Sequence, residues 1–333
     1  MKKKEIRMKK MLSMTLILSC IIYAQTYVGS TNCQSCHTEK YSDWFDSGHP
    51  YKFNITNNAA PVYPDFVTNF QDVWDDSIGF TWDQVSGVIG GFGWKARFVD
   101  QTGKLIGTAN SVVNAGLGHN QFNFYDGTLW GIGNYHPADD KTYNYGCFRC
   151  HTTGPEEGGT WLAGVADLGT FAEGGVGCEA CHGPGSDHIV SQSASDIDLV
   201  YEYDINYGNG LALTGGDTLY ADIDQDRVNF LCGTCHNRGF NAPIETKGGY
   251  IKHHEVWEES LTWDGHSFMS CTSCHDPHKR VIWDGDGITM DCTTCHADQV
   301  ATLNHSGTSN CVDCHMPYAG KSAVKRGESG YKG

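Results

Sequence analysis

Seven copies of Cys-x-x-Cys-His run through this chain. They are Cys33/Cys36/His37, Cys147/Cys150/His151, Cys178/Cys181/His182, Cys232/Cys235/His236, Cys271/Cys274/His275, Cys292/Cys295/His296 and Cys311/Cys314/His315. Two thiols one helical turn apart reach the two vinyl groups of one porphyrin, and the adjacent His then points at the iron. Each copy therefore reads as a covalent attachment site for haem c, seven in all. The motifs use fourteen of the fifteen cysteines. Zinc sites would need such half-motifs in pairs, and seven is odd. Disulfides would not require a His after every second Cys.

Each motif supplies one axial ligand, so what caps the other face of the iron decides between conduction and catalysis. Beyond the seven motif histidines stand His49, His119, His136, His188, His253, His254, His266, His278 and His305. Beyond the leader, methionine occurs only at Met269, Met290 and Met316. Nine spare imidazoles for seven irons predict bis-histidine ligation, low-spin iron and low reduction potentials. His49, His188, His266, His278 and His305 have the most favourable settings. One of His253 and His254, and one of His119 and His136, complete the count. The two ligands of one iron approach from opposite faces of the ring. His278, three residues after His275, cannot reach the far face of its own haem and is expected to serve a neighbour. The same holds for His188 and His182. No residue is assigned a catalytic role.

These sites need elements to hold them, and the chain is short of material. Removing a 24-residue leader from 333 leaves 309 residues, too few for an ordinary apolar core around each ring. The haems are expected to fill much of the interior, touching one another, with polypeptide wrapped outside. The expected fold class is a multihaem cytochrome c, mostly irregular, with short helices around stacked haems and a small β-rich insertion. The expected divisions are 1–24 (signal peptide), 25–57 (first haem segment), 58–146 (β-rich insertion), 147–320 (six-haem region) and 321–333 (tail). A short helix is expected over Lys40–Phe45, stopped by Gly48 and Pro50. In the insertion, Val85–Trp94 leads to a strand at Lys95–Val99, a turn at Asp100–Gly103 and a returning strand at Lys104–Thr108. A second hairpin is expected from Phe122–Tyr125 and Thr128–Ile132. Residues 194–228 read as an irregular acidic excursion. Its Asp222, Asp224 and Asp226 begin like a calcium loop, but Arg227 replaces the sixth-position Gly and no Glu follows at the twelfth position. A solvated loop is expected there, with calcium the weaker reading.

Charge and leader bound the compartment. A basic start, an apolar run from Met11 to Ala24 and a small residue at Ala24 predict a secretory signal, with export to the periplasm or cell surface. A lipid anchor at Cys20 is the weaker alternative. No later segment is apolar for long enough to span a bilayer. The net charge is −16, and the leader carries six Lys/Arg against one Glu, so the chain without it stands at −21. Such a surface disfavours nucleic acid and suits redox partner proteins or extracellular metal oxides.

The stretch Tyr27-Val-Gly-Ser-Thr-Asn-Cys33-Gln-Ser-Cys36-His37, with Trp44 and Ser47-Gly-His49-Pro50, resembles the opening of the multihaem cytochrome c-554 family. Val88–Phe98, Cys147–Gly154 and Gly175–His188 resemble further segments of it. Cys274-His275-Asp-Pro-His278 and Cys314-His315-Met-Pro317 are endings shared more widely among multihaem cytochromes. The resemblance covers residues 27 to 318 in patches. It implies stacked haem pairs and electron transfer in the periplasm or to extracellular acceptors. Assembly into a filament is a narrower expectation. The competing expectation is a reductase of small nitrogen or sulfur oxyanions at a five-coordinate haem.

Overall fold

The computed structural model describes residues 25–67, 69–70, 78–93, 95–113, 121–123, 128–130, 140–199, 223–236, 251–252, 269–281, 285–302 and 319–320. Six of the seven motifs lie within this set. Cys311, Cys314 and His315 fall outside it, as do His119, His136, His253, His254, His266, His305, the leader with Cys20 and the tail.

The motifs wind the backbone through about one turn. The His37 N–H donates to the Cys33 carbonyl (2.9 Å), His275 to Cys271 (3.0 Å) and His296 to Cys292 (2.9 Å). In chain order the helices are α1 (Ser30–Cys33), α2 (Thr38–Phe45), α3 (Tyr145–Phe148), α4 (Cys178–His182), α5 (Ser186–Ser191), α6 (Ile223–His236) and α7 (Thr293–Thr302). Helix α2 starts directly after the first motif and buries Trp44. It ends where the Asp46 N–H turns back to the Ser42 carbonyl (3.1 Å) and the Ser47 N–H to the Trp44 carbonyl (2.9 Å).

Helix α6 corrects the expected acidic loop. Residues 223–228 belong to this fourteen-residue helix, which ends on the fourth motif. No Gly or Pro interrupts Ile223–Cys232, so the helix extends back from the motif through Asp224 and Asp226. A calcium loop presents its ligands from a loop, not from successive turns of a helix. Among the described residues no group of three or more His, Cys, Asp or Glu gathers to hold a metal ion.

The β-rich part is a five-stranded antiparallel meander: β1 (Phe53–Ile55), β2 (Val85–Gly90), β3 (Lys95–Asp100), β4 (Gln121–Asn123) and β5 (Thr128–Trp130). Its first strand comes from the first haem segment and pairs Phe53 with Ile89. Val88 stands opposite Phe98, and Ala96 opposite Phe122. The expected strand at Lys104–Thr108 does not form; only isolated bridges occur at Lys104 and Leu105. The Asp100 carboxylate explains this. It accepts from the backbone N–H groups of Thr102 (2.8 Å), Lys104 (3.0 Å) and Val112 (3.0 Å) and from the Thr102 and Ser111 hydroxyls. That cage curls the chain after β3 instead of extending it.

Both sheet faces are buried. Val88, Ala96, Phe98 and Phe122 pack with Tyr51, Tyr63 and Phe70 on one side. Phe53 and Val99 pack with Tyr143 and Phe148 on the other, against Cys147, Trp161 and Phe171. This second cluster seats the sheet on the second motif. Among the described residues, no buried hydrophobic side chain lies beyond Leu168. The described residues of the motif-rich half thus bring little apolar core of their own.

Candidate haem sites

One short segment ties the first three motifs together. Thr152–Thr153 (β6) pairs antiparallel with Glu173–Gly174 (β7). The Gly175 N–H donates to the His151 carbonyl (3.0 Å), and the Val176 N–H to the His49 carbonyl (2.9 Å). The Val176 carbonyl accepts from Trp44 Nε1 (2.9 Å). Ser30 donates to Glu173 Oε2 through its backbone N–H (3.1 Å) and its hydroxyl (2.7 Å). The Ser30 hydroxyl in turn accepts from the Cys178 N–H (2.9 Å). Glu179, between the two cysteines of the third motif, is a buried carboxylate. It accepts from the N–H groups of Val28 (2.9 Å), Gly29 (2.7 Å) and Gly185 (2.7 Å). Nothing in the spacing of cysteines announces Glu173 or Glu179; only their place beside a motif could have pointed to them.

Three motif histidines meet three histidines from elsewhere in the chain. The rings of His37 and His188 lie 6.1 Å apart, centroid to centroid, 21° from parallel. His182 and His278 lie 6.2 Å apart at 14°. His49 and His236 lie 6.4 Å apart at 81°. Two imidazoles sharing one metal need two metal–nitrogen bonds of about 2.0 Å. Adding the half-width of each ring puts the centroids about 6 Å apart on that basis. All three pairs fit. His188 faces the first motif, not the third beside it, and His278 faces the third, not the fifth beside it. His49, His188 and His278 are the non-motif histidines among the described residues, and these pairs use all three. The other six lie outside.

The outer nitrogens are engaged as well. His188 Nδ1–H donates to the Ser193 carbonyl (2.9 Å), and His278 Nδ1–H to Asp276 Oδ1 (2.9 Å). Such a bond fixes the tautomer and turns the remaining nitrogen toward a metal. Asp276 thus braces the His278 imidazole, and the next residue, Pro277, lies beside the His49 ring. The residues between His275 and His278 carry this signal in sequence, since an Asp two residues before a His readily forms such a turn.

The electrostatics suit ligation, which requires neutral imidazole. Burial drives the His49 imidazole down to about 3, with Lys52 and His236 adding to the fall. His236 is open to solvent on one side yet ringed by protein. That desolvation, followed by the Lys52 charge, holds it down to about 4. His182 is lowered by burial and then by neighbouring imidazoles. His275 is lowered by burial.

Cysteines of different motifs also lie near one another. Cys33 neighbours Cys178, Cys150 neighbours Cys235, and Cys232 neighbours Cys271, each near enough to perturb the other's thiol. Backbone contacts accompany them. Cys235 Sγ donates to the Arg149 carbonyl (3.3 Å). The buried Asn229 side chain accepts from the Cys271 N–H (2.8 Å) and donates to the Met269 carbonyl (3.1 Å). Attachment points therefore adjoin between motifs one and three, two and four, and four and five.

The sixth motif departs from this pattern. Cys295 is exposed and Cys292 half-buried, and His296 beside them is exposed as well. Cys36 of the first motif is the other exposed cysteine among the described residues. The reason at Cys295 is local. The motif opens α7 at the surface, where Asp291 Oδ1 accepts from the Thr293 N–H (2.7 Å) and hydroxyl (2.7 Å). The residues on either side of Cys295, from Thr293 to Asp298, are small or polar and all exposed, so they bring no apolar cover. Cys295 still stands close to the fifth motif: burial raises the Cys274 thiol, and the neighbouring Cys295 raises it further.

Residues 131–183 match the family described as cytochrome c554 and c-prime. Multiheme cytochrome MtrA of Shewanella baltica is 23% identical over 201 residues, covering 56% of this chain and 48% of that protein. C-type polyheme cytochrome OmcB of Geobacter sulfurreducens is 25% identical over 194 residues, covering 52% of this chain and 25% of that protein. A solved undecaheme cytochrome from the S-layer of Carboxydothermus ferrireducens aligns with 82% of this chain and 43% of its own at 18% identity, with a TM-score of 0.47. The chain spans less than half the length of each of these three. Among the described residues, no helix is long and apolar enough to cross a membrane.

Proposed function

We propose that this multihaem c-type cytochrome is an electron relay, exported by its leader and passing electrons between redox partners through closely spaced haems with two axial histidines each. The observation that carries the reading is the set of three imidazole pairs at 6.1, 6.2 and 6.4 Å, each joining a motif histidine to one from another segment. Covalently held haem supplies one-electron chemistry at iron. The chain's own residues do the rest. The cysteines anchor each ring at two points. With haem bound, His37, His182 and His236 would each hold an iron, together with His188, His278 and His49 respectively. Two imidazoles on each of these irons would leave no position for a substrate and favour transfer over bond-making chemistry.

The neighbouring cysteine pairs support the second half of the reading. Rings attached at Cys33 and Cys178 start from adjoining sulfurs, and so do those at Cys150 and Cys235 and at Cys232 and Cys271. The exposed Cys292/Cys295 motif holds its ring at the surface beside the fifth motif, where a partner can approach it. Among the described residues, the dearth of buried apolar side chains beyond Leu168 suits an interior filled by porphyrin. Six described motifs and the seventh, Cys311/Cys314/His315, make seven haems. The acidic surface suits a basic partner protein or an oxidised metal.

The test is a haem count with spectroscopy. Alkaline pyridine spectra against protein mass are expected to give seven haems per chain. Ferric EPR is expected to show low-spin signals, and carbon monoxide is expected to leave the reduced spectrum unchanged. Far fewer haems, or carbon monoxide bound at the sites of His37, His182 or His236, would overturn the relay reading in favour of a reductase.

A further inference from the structure

The three non-motif imidazoles of the pairs sit in three different charge environments. His278 gives its Nδ1–H to a carboxylate, Asp276 Oδ1, which also accepts from the His278 backbone N–H (3.0 Å). Lys40 holds the other oxygen of Asp276 at 3.1 Å. Burial works against the charge on Asp276, but the bonds from His278 and Lys40 outweigh it and bring the carboxyl down to about 2. His188 gives its Nδ1–H to a neutral carbonyl. Beside His49, Lys52, three residues on in the turn Pro50–Lys52, sets its positive charge against both His49 and His236, while burial lowers the Lys52 ammonium itself. Two further carboxylates, Glu173 and Glu179, flank the contact of Cys33 with Cys178.

Ferric haem carries one more positive charge than ferrous haem. A nearby anion therefore stabilises the oxidised form, and a nearby cation the reduced form. A carboxylate on the outer nitrogen also makes the imidazole a stronger donor than a carbonyl does, which again favours ferric iron.

We propose that these charges grade the three sites by electron affinity: lowest at Cys178–His182, intermediate at Cys33–His37 and highest at Cys232–His236, with Asp276 and Lys52 setting the two ends. An electron shared among the three is held most tightly at the site beside Lys52. The proposal rests on the axial pairs assigned above.

The experiment is a potentiometric titration of the full holoprotein, followed by visible absorption and by EPR of poised samples. Asp276→Asn is expected to move the lowest of the three transitions upward and leave the other two in place. Lys40→Gln, which removes the cation competing for Asp276, is expected to move the same transition downward. Lys52→Met is expected to move the highest transition downward. An unchanged pyridine haem count in each variant establishes that it is folded and loaded. Asp276→Asn or Lys52→Met leaving every transition in place, or moving one the other way, overturns the grading. His278→Ala separates the two layers. If it leaves every iron low-spin, the axial assignment itself fails. If it frees one iron while Asp276→Asn shifts nothing, only the grading fails.

Discussion

His182 and His278 face each other at 6.2 Å, nearly parallel, although one belongs to the third motif and the other follows the fifth. The proposed axial pairing thus reaches from one haem segment across another. Replacing His278 by Ala is therefore expected to convert the haem at Cys178/Cys181, and not the one at Cys271/Cys274, to high spin. His188→Ala should do the same at Cys33/Cys36, and His49→Ala at Cys232/Cys235. Each variant should gain carbon monoxide binding for one haem. Assignment by EPR in combination with the corresponding motif variant checks which iron has opened, and a change at the adjacent motif instead would contradict the crossed pairing.

Gly175 sits where the hub segment presses on the turn after His49. Its φ is +80°, and a Cβ there would overlap the Pro50 carbonyl, which is backbone and cannot rotate away. The Gly175 and Val176 N–H groups hold the His151 and His49 carbonyls. Gly175→Ala should cost about 3 kcal/mol or more, from strain and the displaced bonds together. A fall in the thermal midpoint with a reduced yield of fully loaded protein is the expected result. A variant as stable as the parent would mean that the hub tolerates sliding.

Much of this architecture was legible in residue spacing. The motifs named the attachment points, and elementary geometry excluded His278 and His188 from capping the haems beside them. The sheet was visible in the β-branched and aromatic runs at Val85–Val99 and Phe122–Tyr125. What spacing could not carry was long-range. The partner of His278 is set by how α4 and the fifth motif pack, and no local pattern encodes that. Spacing is equally blind to exposure: Cys295 and Cys181 occupy the same place in identical motifs, yet only Cys295 lies open to solvent. The strand expected after Gly103 lost to the Asp100 cage, because a buried carboxylate that gathers three N–H groups outweighs weak strand propensity. The acidic stretch at 223–228 reads as a loop by charge, yet it is helical because the motif at its end continues the turn backward. Lys52, Asp276 and Glu179 carry no motif at all; their roles come only from what lies beside them.

Glu179 tests how the N-terminal segment is held. Its carboxylate gathers the N–H groups of Val28, Gly29 and Gly185. In Glu179→Gln the new amide nitrogen would point at a donor, so at least one buried N–H loses its acceptor. Hydrogen bonds to a charged group are worth about 1.5–3 kcal/mol each, so a loss of about 2–3 kcal/mol is expected. Proteolysis of the folded protein should open first near Val28, ahead of global unfolding. Protection equal to that of the parent would show that Ser30 and Glu173 suffice.

Asn229 tests the spacing of neighbouring rings. It accepts from the Cys271 N–H and donates to the Met269 carbonyl, locking α6 to the fifth motif where Cys232 and Cys271 adjoin. Leu has similar bulk but satisfies neither group. Asn229→Leu should leave two backbone groups without partners, at a cost of about 2–4 kcal/mol. The more telling readout is optical, because two porphyrins held at a fixed angle and separation couple their Soret transitions. The circular dichroism couplet from that pair should weaken in the variant while haem count and low-spin EPR remain, since neither axial histidine nor cysteine has changed. An unaltered couplet would mean that the thioether bonds alone set the distance between those haems.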